Sequence, residues 1–328
     1  MPFRDLAGHR RLFELTARAA RGGTLPPSLI FSGPEGVGKR LAATALAQLV
    51  NCLAPVDGDA CGACTACARI ARGVHPDVLT IEPGESGSIK VDQVREAIER
   101  SAYRPFEGRR RVVIINEADA LVPEAQNALL KTLEEPPPAS MFVLITSRPD
   151  VLLPTVRSRC QRLRFGRLSP GEIAHVLEHA HGYSSRDAHA AAALADGSIG
   201  RALEGGSEDY VRVRDAAATV LTRIAGASDP RSRLDAAKSL TDGGGDRDDV
   251  ACRLRAVASL LRDLGVLLSR ADERDLANAD LKPLLMRLLK SFDGERTLRA
   301  FSSIDRALDA LDRNASPKIV ADWFVLQD

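Results

Sequence analysis

The chain has 328 residues, which at about 150 residues per domain predicts two or three domains rather than one small module. Its hydrophobic content of 45% and charged content of 27% are typical of globular proteins and exclude a disordered or fibrous chain. The 45 basic and 44 acidic residues leave a net charge of +1, so any contact with nucleic acid must come from a local basic patch.

The N-terminal segment lacks the apolar stretch of a secretory signal, and no later window contains the roughly 18 apolar residues that a membrane helix needs. We therefore expect a cytoplasmic protein with no membrane partner.

The first half of the chain alternates short apolar runs with helical patterns. The apolar runs lie at residues 29–32, 78–81, 112–115 and 141–146, and the helical patterns at 41–49, 91–101 and 124–133. This alternation is typical of a parallel sheet covered by helices. The sequence thus predicts an α/β domain over residues 1–165.

No strand pattern follows Phe165. Helical spacing predicts a small helical domain over residues 166–207, which ends at Gly205-Gly206-Ser207, and an all-helical domain over residues 208–328. The run Asp242-Gly243-Gly244-Gly245-Asp246 predicts a flexible loop within this last domain.

A glycine-rich segment, Gly33-Pro34-Glu35-Gly36-Val37-Gly38-Lys39-Arg40, follows the first strand and opens the first helical pattern. This is the context of a phosphate-binding P-loop, in which backbone N–H groups surround the phosphates and Lys39 reaches them. The next position normally carries the Ser or Thr that ligates Mg²⁺, but here it is Arg40. The loop therefore suits phosphate and not Mg²⁺.

The third apolar run ends in Asn116-Glu117, where a P-loop ATPase has an Asp for Mg²⁺ and then a Glu that activates water. The amide of Asn116 is a weaker ligand than a carboxylate, so a second contact to the same ion is compromised. Two such changes favour a lost Mg²⁺ site, with Glu117 left in a vestigial water-activating position.

Four of the six cysteines lie close together: Cys52, Cys61, Cys64 and Cys67. A reducing cytosol disfavours disulfides, and four thiolates at this spacing suit one tetrahedral Zn²⁺ ion. Because four ligands leave no open position for water, we predict a structural zinc in an insert at about residues 52–67.

Near the end of the α/β domain stands Ser158-Arg159-Cys160. Alone, this tripeptide is a weak signal, since most surface arginines only interact with solvent. An arginine at a subunit edge can also stabilise charge on a neighbour's phosphate, as arginine fingers do.

Together these motifs resemble the AAA+ clamp-loader subunits of bacterial DNA polymerase III, and most closely the delta-prime type. The resemblance covers nearly the full length. It rests on the P-loop, the four-cysteine insert, His75-Pro76-Asp77, IKVDQVRE at 89–96, NALLKTLEEPP at 127–137 and Ser158-Arg159-Cys160. It implies an AAA+ domain followed by a helical lid and an all-α collar that joins subunits.

The resemblance also implies roles for individual residues. Arg159 would be an arginine finger that acts in trans on the ATP of an adjacent subunit, and the four cysteines would hold zinc. Thr146 stands where hydrolysing relatives keep a residue that senses the γ-phosphate, and Gly200 stands where they have a sensor arginine. The implied subunit has no ATPase activity of its own, while its intact Gly33, Gly36, Gly38 and Lys39 leave ATP or ADP binding open.

By the same resemblance, the chain is an accessory subunit of the DNA polymerase holoenzyme. Its partners would be delta and gamma or tau subunits in a hetero-pentamer that loads the sliding clamp onto primed DNA at the nucleoid.

Two alternative functions remain open from the sequence. The first is a hydrolysing gamma/tau-like motor subunit that tolerates Arg40 and Asn116. The second is a zinc-containing DNA-binding protein with a relic P-loop, which would use basic residues such as Arg109, Arg110 and Arg111 or those at 157, 159, 162 and 164. Arg109–Arg111 also fit a solvated turn before a buried strand, an interpretation we favour.

Overall fold

The computed structural model describes residues 1–204, 207–227, 229–241, 246–272 and 276–327. It divides into two compact units, Met1–Arg167 and Leu168–Asp328. The end of the first unit lies two residues beyond the predicted boundary at 165.

A five-stranded parallel sheet forms the centre of the first unit. The strands are β1 Ser28–Ser32, β2 Val78–Ile81, β3 Arg111–Ile115, β4 Ser140–Thr146 and β5 Gln161–Arg164, in the spatial order β2-β3-β4-β1-β5. Every residue of β1, β3 and β4 is buried, which explains why these strands are nearly continuous apolar runs. The predicted parallel sheet is confirmed, and its four apolar runs coincide with β1 to β4.

The fifth strand was not predicted from the sequence. Strand β5 has the sequence QRLR, is mostly exposed and pairs along β1 at the edge of the sheet. An edge strand with polar side chains shows no apolar run, so composition does not reveal it.

Helices cover both faces of the sheet. They are α1 Arg10–Arg21, α2 Lys39–Asn51, α3 Thr65–Ala71, α4 Val91–Ala102, α5 Pro123–Glu134 and α6 Pro154–Arg157. Leu29 and Phe31 of β1 pack in one apolar cluster with α1 and α2, and Ile30 packs in the other with α4 and α5. The three predicted helices correspond to α2, α4 and α5, whereas α1, which buries only Phe13 and Thr16 fully, was not predicted.

Two buried polar side chains fix the loop before β3. The Asp77 carboxylate accepts hydrogen bonds from the N–H groups of Phe106, Glu107 and Gly108 at 2.7–2.9 Å. The Asn51 side-chain oxygen accepts from the N–H groups of the next two residues, at 2.8 and 2.9 Å. The backbone N–H groups of this turn are therefore satisfied by side-chain acceptors.

The residue that begins β3 is part of the same network. Arg111 is buried, and its guanidinium donates to Asp77 at 2.8 Å. A buried, paired arginine is not part of a DNA-binding surface, which corrects the inclusion of Arg111 among the candidate basic residues. The interpretation of Arg109–Arg111 as a turn leading into a buried strand fits the structure.

The second unit is helical throughout its described residues. Its helices are α7 Pro170–His181, α8 Ser185–Leu194, α9 Ile199–Glu204, α10 Ser207–Gly226, α11 Pro230–Thr241, α12 Arg247–Leu268, α13 Lys282–Leu288, α14 Gly294–Asp312 and α15 Pro317–Leu326. One apolar cluster lies among α7 to α9, and a larger one among α10 to α15. The predicted division into a lid at 166–207 and a collar at 208–328 stays a prediction, because the unit is compact as a whole.

Two predicted linkers fall on residues outside the described ranges. They are Gly205 and Gly206 before α10, and residues 242–245 before α12. In the described part of the chain, no helix has both the length and the apolar character needed to cross a membrane.

The Asp77 network gives a prediction about acid stability. Burial alone would raise the pKa of Asp77, but the backbone N–H groups and Arg111 lower it to about 2. Because the folded-state pKa lies below that of the unfolded chain, the ionised carboxylate stabilises the fold above about pH 4, and this contribution is lost as the pH falls toward 2. We expect Asp77→Asn to lower the free energy of unfolding at pH 7, and the difference from wild type to shrink between pH 4 and pH 2.

Guanidinium denaturation of the two proteins across this pH range measures the difference. Asp77→Ala, which leaves Arg111 buried without its carboxylate, is expected to cost about 3–5 kcal/mol at pH 7. A difference between wild type and Asp77→Asn that stays constant down to pH 2 would contradict the assignment.

Candidate functional site

The glycine-rich segment forms a tight loop between β1 and α2. A Cβ on Gly33 would lie 2.1 Å from the carbonyl oxygen of Phe165, so only glycine fits there. Gly36 and Gly38 adopt φ values of 70° and 93°, which L side chains rarely adopt. The loop thus has the strand–turn–helix context that the sequence predicts for a P-loop.

Lys39 is the first residue of α2 and is buried within this loop. Its ammonium group donates to the carbonyl oxygens of Gly33 and Pro34 at 2.6 and 2.5 Å. Burial lowers the pKa of Lys39, while the nearby carboxylates of Glu35 and Asp119 raise it in part. The ammonium group is therefore held inside the loop, where a phosphate would need it.

The two positions that ligate Mg²⁺ in a P-loop ATPase carry other side chains here, Arg40 and Asn116. The Arg40 guanidinium makes an ion pair with Glu82 at 2.7 Å. Asn116 directly follows β3, and its N–H donates to the carbonyl of Ile81 at 2.9 Å. A guanidinium offers no lone pair to a cation, and an amide oxygen carries no charge, so these two side chains fit Mg²⁺ poorly.

Thr146 ends β4 at the same edge of the sheet. Its hydroxyl donates to Asp119 at 2.8 Å and accepts from the N–H of Arg148 at 3.0 Å. The Arg148 guanidinium also pairs with Asp119 at 3.0 Å. Burial raises the pKa of Asp119, but the hydrogen bonds from Thr146 and Arg148 outweigh it and hold that pKa below its usual value.

Asp119 and Arg148 were not among the predicted site residues. The only available signal was that Asp119 follows Glu117 by two residues, within the same turn after β3. Glu117 itself is exposed and adopts the left-handed conformation at φ 50° and ψ 52°. The P-loop, Asn116, Asp119 and Thr146 thus meet where three parallel strands end.

Arg159 lies elsewhere in the first unit, beyond α6. Its Nε and Nη2 donate to Glu134 Oε2 at 3.2 and 3.1 Å, and its Nη1 donates to the carbonyl of Thr155 at 3.1 Å. Its side chain is 32% exposed. The partners that the structure gives Arg159 are these two residues and not residues of the P-loop, so the predicted sites form two separate groups.

An open cavity of about 310 Å³ adjoins the Arg159 tripeptide. It is lined by Ile30, Pro149, Pro154, Arg157, Ser158 and Arg162. Arg157 pairs with Asp150 at 2.8 Å, and Arg162 donates to the hydroxyl of Ser32 at 2.7 Å. This part of the surface is therefore rich in guanidinium groups.

The four clustered cysteines converge at the end of α2 and the start of α3. The Sγ atoms of Cys52, Cys61, Cys64 and Cys67 all lie within 4.8 Å of one another. Ligands at about 2.3 Å from a tetrahedral Zn²⁺ ion would be about 3.8 Å apart, so the donor set and its spacing fit such an ion. Backbone N–H groups donate to three of the sulfurs at 3.2–3.5 Å, as is favourable for thiolates.

The N-terminal segment holds the same loop from outside. The Arg4 guanidinium donates to the carbonyls of Ala60 and Cys61 at 2.8 and 3.1 Å, and the Arg4 N–H donates to Asp59 at 2.9 Å. The cluster therefore links α2, α3 and the start of the chain.

We expect protein purified under reducing conditions to contain about one zinc ion per chain, and Cys64→Ser to lose the metal and lower the melting temperature. The physical reason is that metal binding adds to the folding free energy of the loop it closes. Metal analysis and thermal denaturation test this, with Cys160→Ser, a cysteine outside the cluster, as the control. Protein without zinc, or Cys64→Ser with an unchanged zinc content, would refute the prediction.

Comparison with known proteins finds similar chains among the subunits of DNA polymerase III. The sequence profile of the family described as "DNA polymerase III, delta subunit" matches residues 8–169, close to the whole first unit. The tau subunit of DNA polymerase III from Escherichia coli is 31% identical over 254 residues, which cover 75% of this chain. The delta' subunit from Pseudomonas aeruginosa is 43% identical over 129 residues, which cover 39% of this chain. Each of these two alignments spans only 39% of the relative's own length.

Among solved structures, a gamma-subunit-related protein from Thermotoga maritima aligns over 95% of this chain and 97% of its own, at 17% identity and a TM-score of 0.39. The assignment rests on the sequence comparisons and not on this likeness. By them, the chain belongs to the family of DNA polymerase III clamp-loader subunits that includes delta', gamma and tau.

Proposed function

We propose that this chain is a non-hydrolysing clamp-loader subunit that supplies Arg159 in trans to the ATP site of a neighbouring subunit. The observation that carries the proposal is the P-loop in which both Mg²⁺-ligand positions are replaced. Arg40 is paired with Glu82, and Asn116 stands where a carboxylate is needed. Phosphoryl transfer depends on a metal ion to neutralise developing charge, so such a loop can hold phosphate without cleaving it.

Arg159 supports the second half of the proposal. It is partly exposed, and in the described part of the chain it is hydrogen-bonded to Glu134 and Thr155 rather than to its own P-loop. A guanidinium group so placed can meet an anion brought by another subunit. Its contribution there is to stabilise charge on a γ-phosphate during hydrolysis by the neighbour.

The similarity to tau and delta' subunits supports a choice of partners. We propose assembly with delta and gamma or tau subunits into a hetero-pentamer that loads the sliding clamp onto primed DNA in the cytoplasm. In this assembly, the zinc cluster acts as a structural element, and Thr146 and Glu117 occupy positions that belong to hydrolysis in the motor subunits. Nucleotide binding at Lys39 is compatible with this role.

A hydrolysing motor subunit is the second candidate. It is favoured by the intact loop geometry at Gly33, Gly36, Gly38 and Lys39, and by the 31% identity to a tau subunit. The two candidates differ in whether a loop with Arg40 and Asn116 at the Mg²⁺-ligand positions can still hydrolyse ATP.

For the first test, we expect Arg159→Ala to lower the DNA- and clamp-stimulated ATP turnover of an assembly reconstituted with motor and delta subunits by at least about tenfold. The reason is the loss of a charge that acts on the neighbour's phosphate. Steady-state turnover measures the effect, and gel filtration establishes that assembly is intact.

Arg157→Ala is the matched control, because Arg157 is similarly exposed at 36% and also pairs with one carboxylate, Asp150. We expect near wild-type turnover for this variant. If Arg159→Ala assembles normally and turns over ATP at the wild-type rate, Arg159 is not the finger.

For the second test, we expect the isolated chain to show no Mg²⁺-dependent ATP hydrolysis above background, with or without Glu117→Gln. Phosphate release with and without Mg²⁺ measures this. Hydrolysis that requires Mg²⁺ and is abolished by Glu117→Gln would favour the motor subunit instead.

A further inference from the structure

The contact between Glu134 and Arg159 joins two motifs that are 25 residues apart in the chain. Glu134 is the last residue of α5, and one of its oxygens, Oε2, accepts from both Nε and Nη2 of Arg159. On the other side, the Thr155 carbonyl accepts from Nη1. All three guanidinium nitrogens therefore donate to groups of this chain.

The N–H donors that these partners occupy determine which donors of the guanidinium remain free for another ligand. An arginine has five N–H donors: one on Nε and two on each terminal nitrogen. Glu134 takes the Nε donor and one Nη2 donor, which form the side edge of the group. Thr155 takes one Nη1 donor, so one donor remains on each terminal nitrogen. These two donors suit a bidentate contact with a second anion.

The pair is difficult to explain by stability alone. The Glu134 side chain is 59% exposed and that of Arg159 is 32% exposed, and ion pairs with such exposure contribute little to folding. Glu134 also lies at the carboxyl end of α5, where the helix dipole disfavours a negative charge. A carboxylate at this position is therefore unfavourable for the stability of the helix, which suggests that its role is to bind Arg159.

We propose that Glu134 is a positioning residue for Arg159, which fixes the side edge of the guanidinium so that its two remaining donors face the phosphate of the neighbouring subunit. This inference rests on the proposed trans-acting role of Arg159. The fixed orientation removes the entropy cost of ordering a long side chain each time a neighbour's ATP arrives. The adjacent Glu135 makes no such contact in the described structure, which makes it a matched comparison.

The test compares Glu134→Gln with Glu135→Gln in the reconstituted assembly. Glutamine keeps the size of the side chain but removes the charge that orients the guanidinium. We expect Glu134→Gln to lower kcat for ATP about tenfold with little change in KM, since a 1 Å misplacement costs up to about a hundredfold. Glu135→Gln should match wild type.

A double-mutant cycle separates positioning from a general structural effect. If Glu134 acts through Arg159, Glu134→Gln causes no further loss in an Arg159→Ala background. In the isolated chain, the Arg159 Nε–H should exchange with solvent faster in Glu134→Gln than in wild type, which NMR can follow independently of ATP turnover.

The outcomes distinguish this inference from the function on which it rests. If Arg159→Ala leaves ATP turnover unchanged, both the proposed function of Arg159 and this inference are overturned. Suppose instead that Arg159→Ala strongly lowers turnover. The inference alone is then overturned if Glu134→Gln matches wild type, if it raises turnover, or if it lowers turnover equally in the Arg159→Ala background. A rise would mean that Glu134 restrains the arginine instead of aiming it.

Discussion

The parallel arrangement of all five strands is the constraint on which the candidate site depends. Because the carboxyl ends of β1, β3 and β4 meet at one edge, three distant parts of the sequence come together there: the P-loop, the turn at Asn116 and Asp119, and Thr146. The register pairs Ser32 with Thr146, and the N–H of Gly33 donates to the carbonyl of Thr146 at 3.2 Å. The phosphate loop is thus joined directly to the strand whose last residue contacts Asp119.

At this edge, the chain has the backbone geometry of a P-loop, while several of its charged side chains bond to groups of the protein itself. Lys39 donates to the loop's own carbonyls, Arg40 pairs with Glu82, and Asp119 pairs with Thr146 and Arg148. Charge that a hydrolysing site would direct at a metal ion and a phosphate is here balanced within the protein. Arg159 is hydrogen-bonded to Glu134 and Thr155 and not to these groups.

The sequence revealed most clearly the features that depend on local patterns. Buried strands appear as apolar runs, the P-loop as spaced glycines, and the cysteine cluster as four thiols within a short segment. Contacts between distant residues were harder to foresee. Asp77 was visible only as part of a motif, and nothing local indicated that it accepts from three N–H groups and from Arg111. Glu134 was quoted in a motif too, but its bond to Arg159 depends on how α5 packs beside the segment after α6. Strand β5 was missed because its side chains face solvent.

The ends of α5 limit where residues can be inserted into or deleted from this chain. Proline occupies the first position of the helix at Pro123, and Pro136, Pro137 and Pro138 stop it soon after Glu134. Gln126 accepts from the N–H of Leu153 at 2.7 Å, which ties the helix to the segment before α6. Each inserted or deleted residue would turn Glu134 by about 100° and shift it by about 1.5 Å. The length of α5 therefore sets the position of Glu134, and we expect insertions to be tolerated in the loops around the helix but not within it.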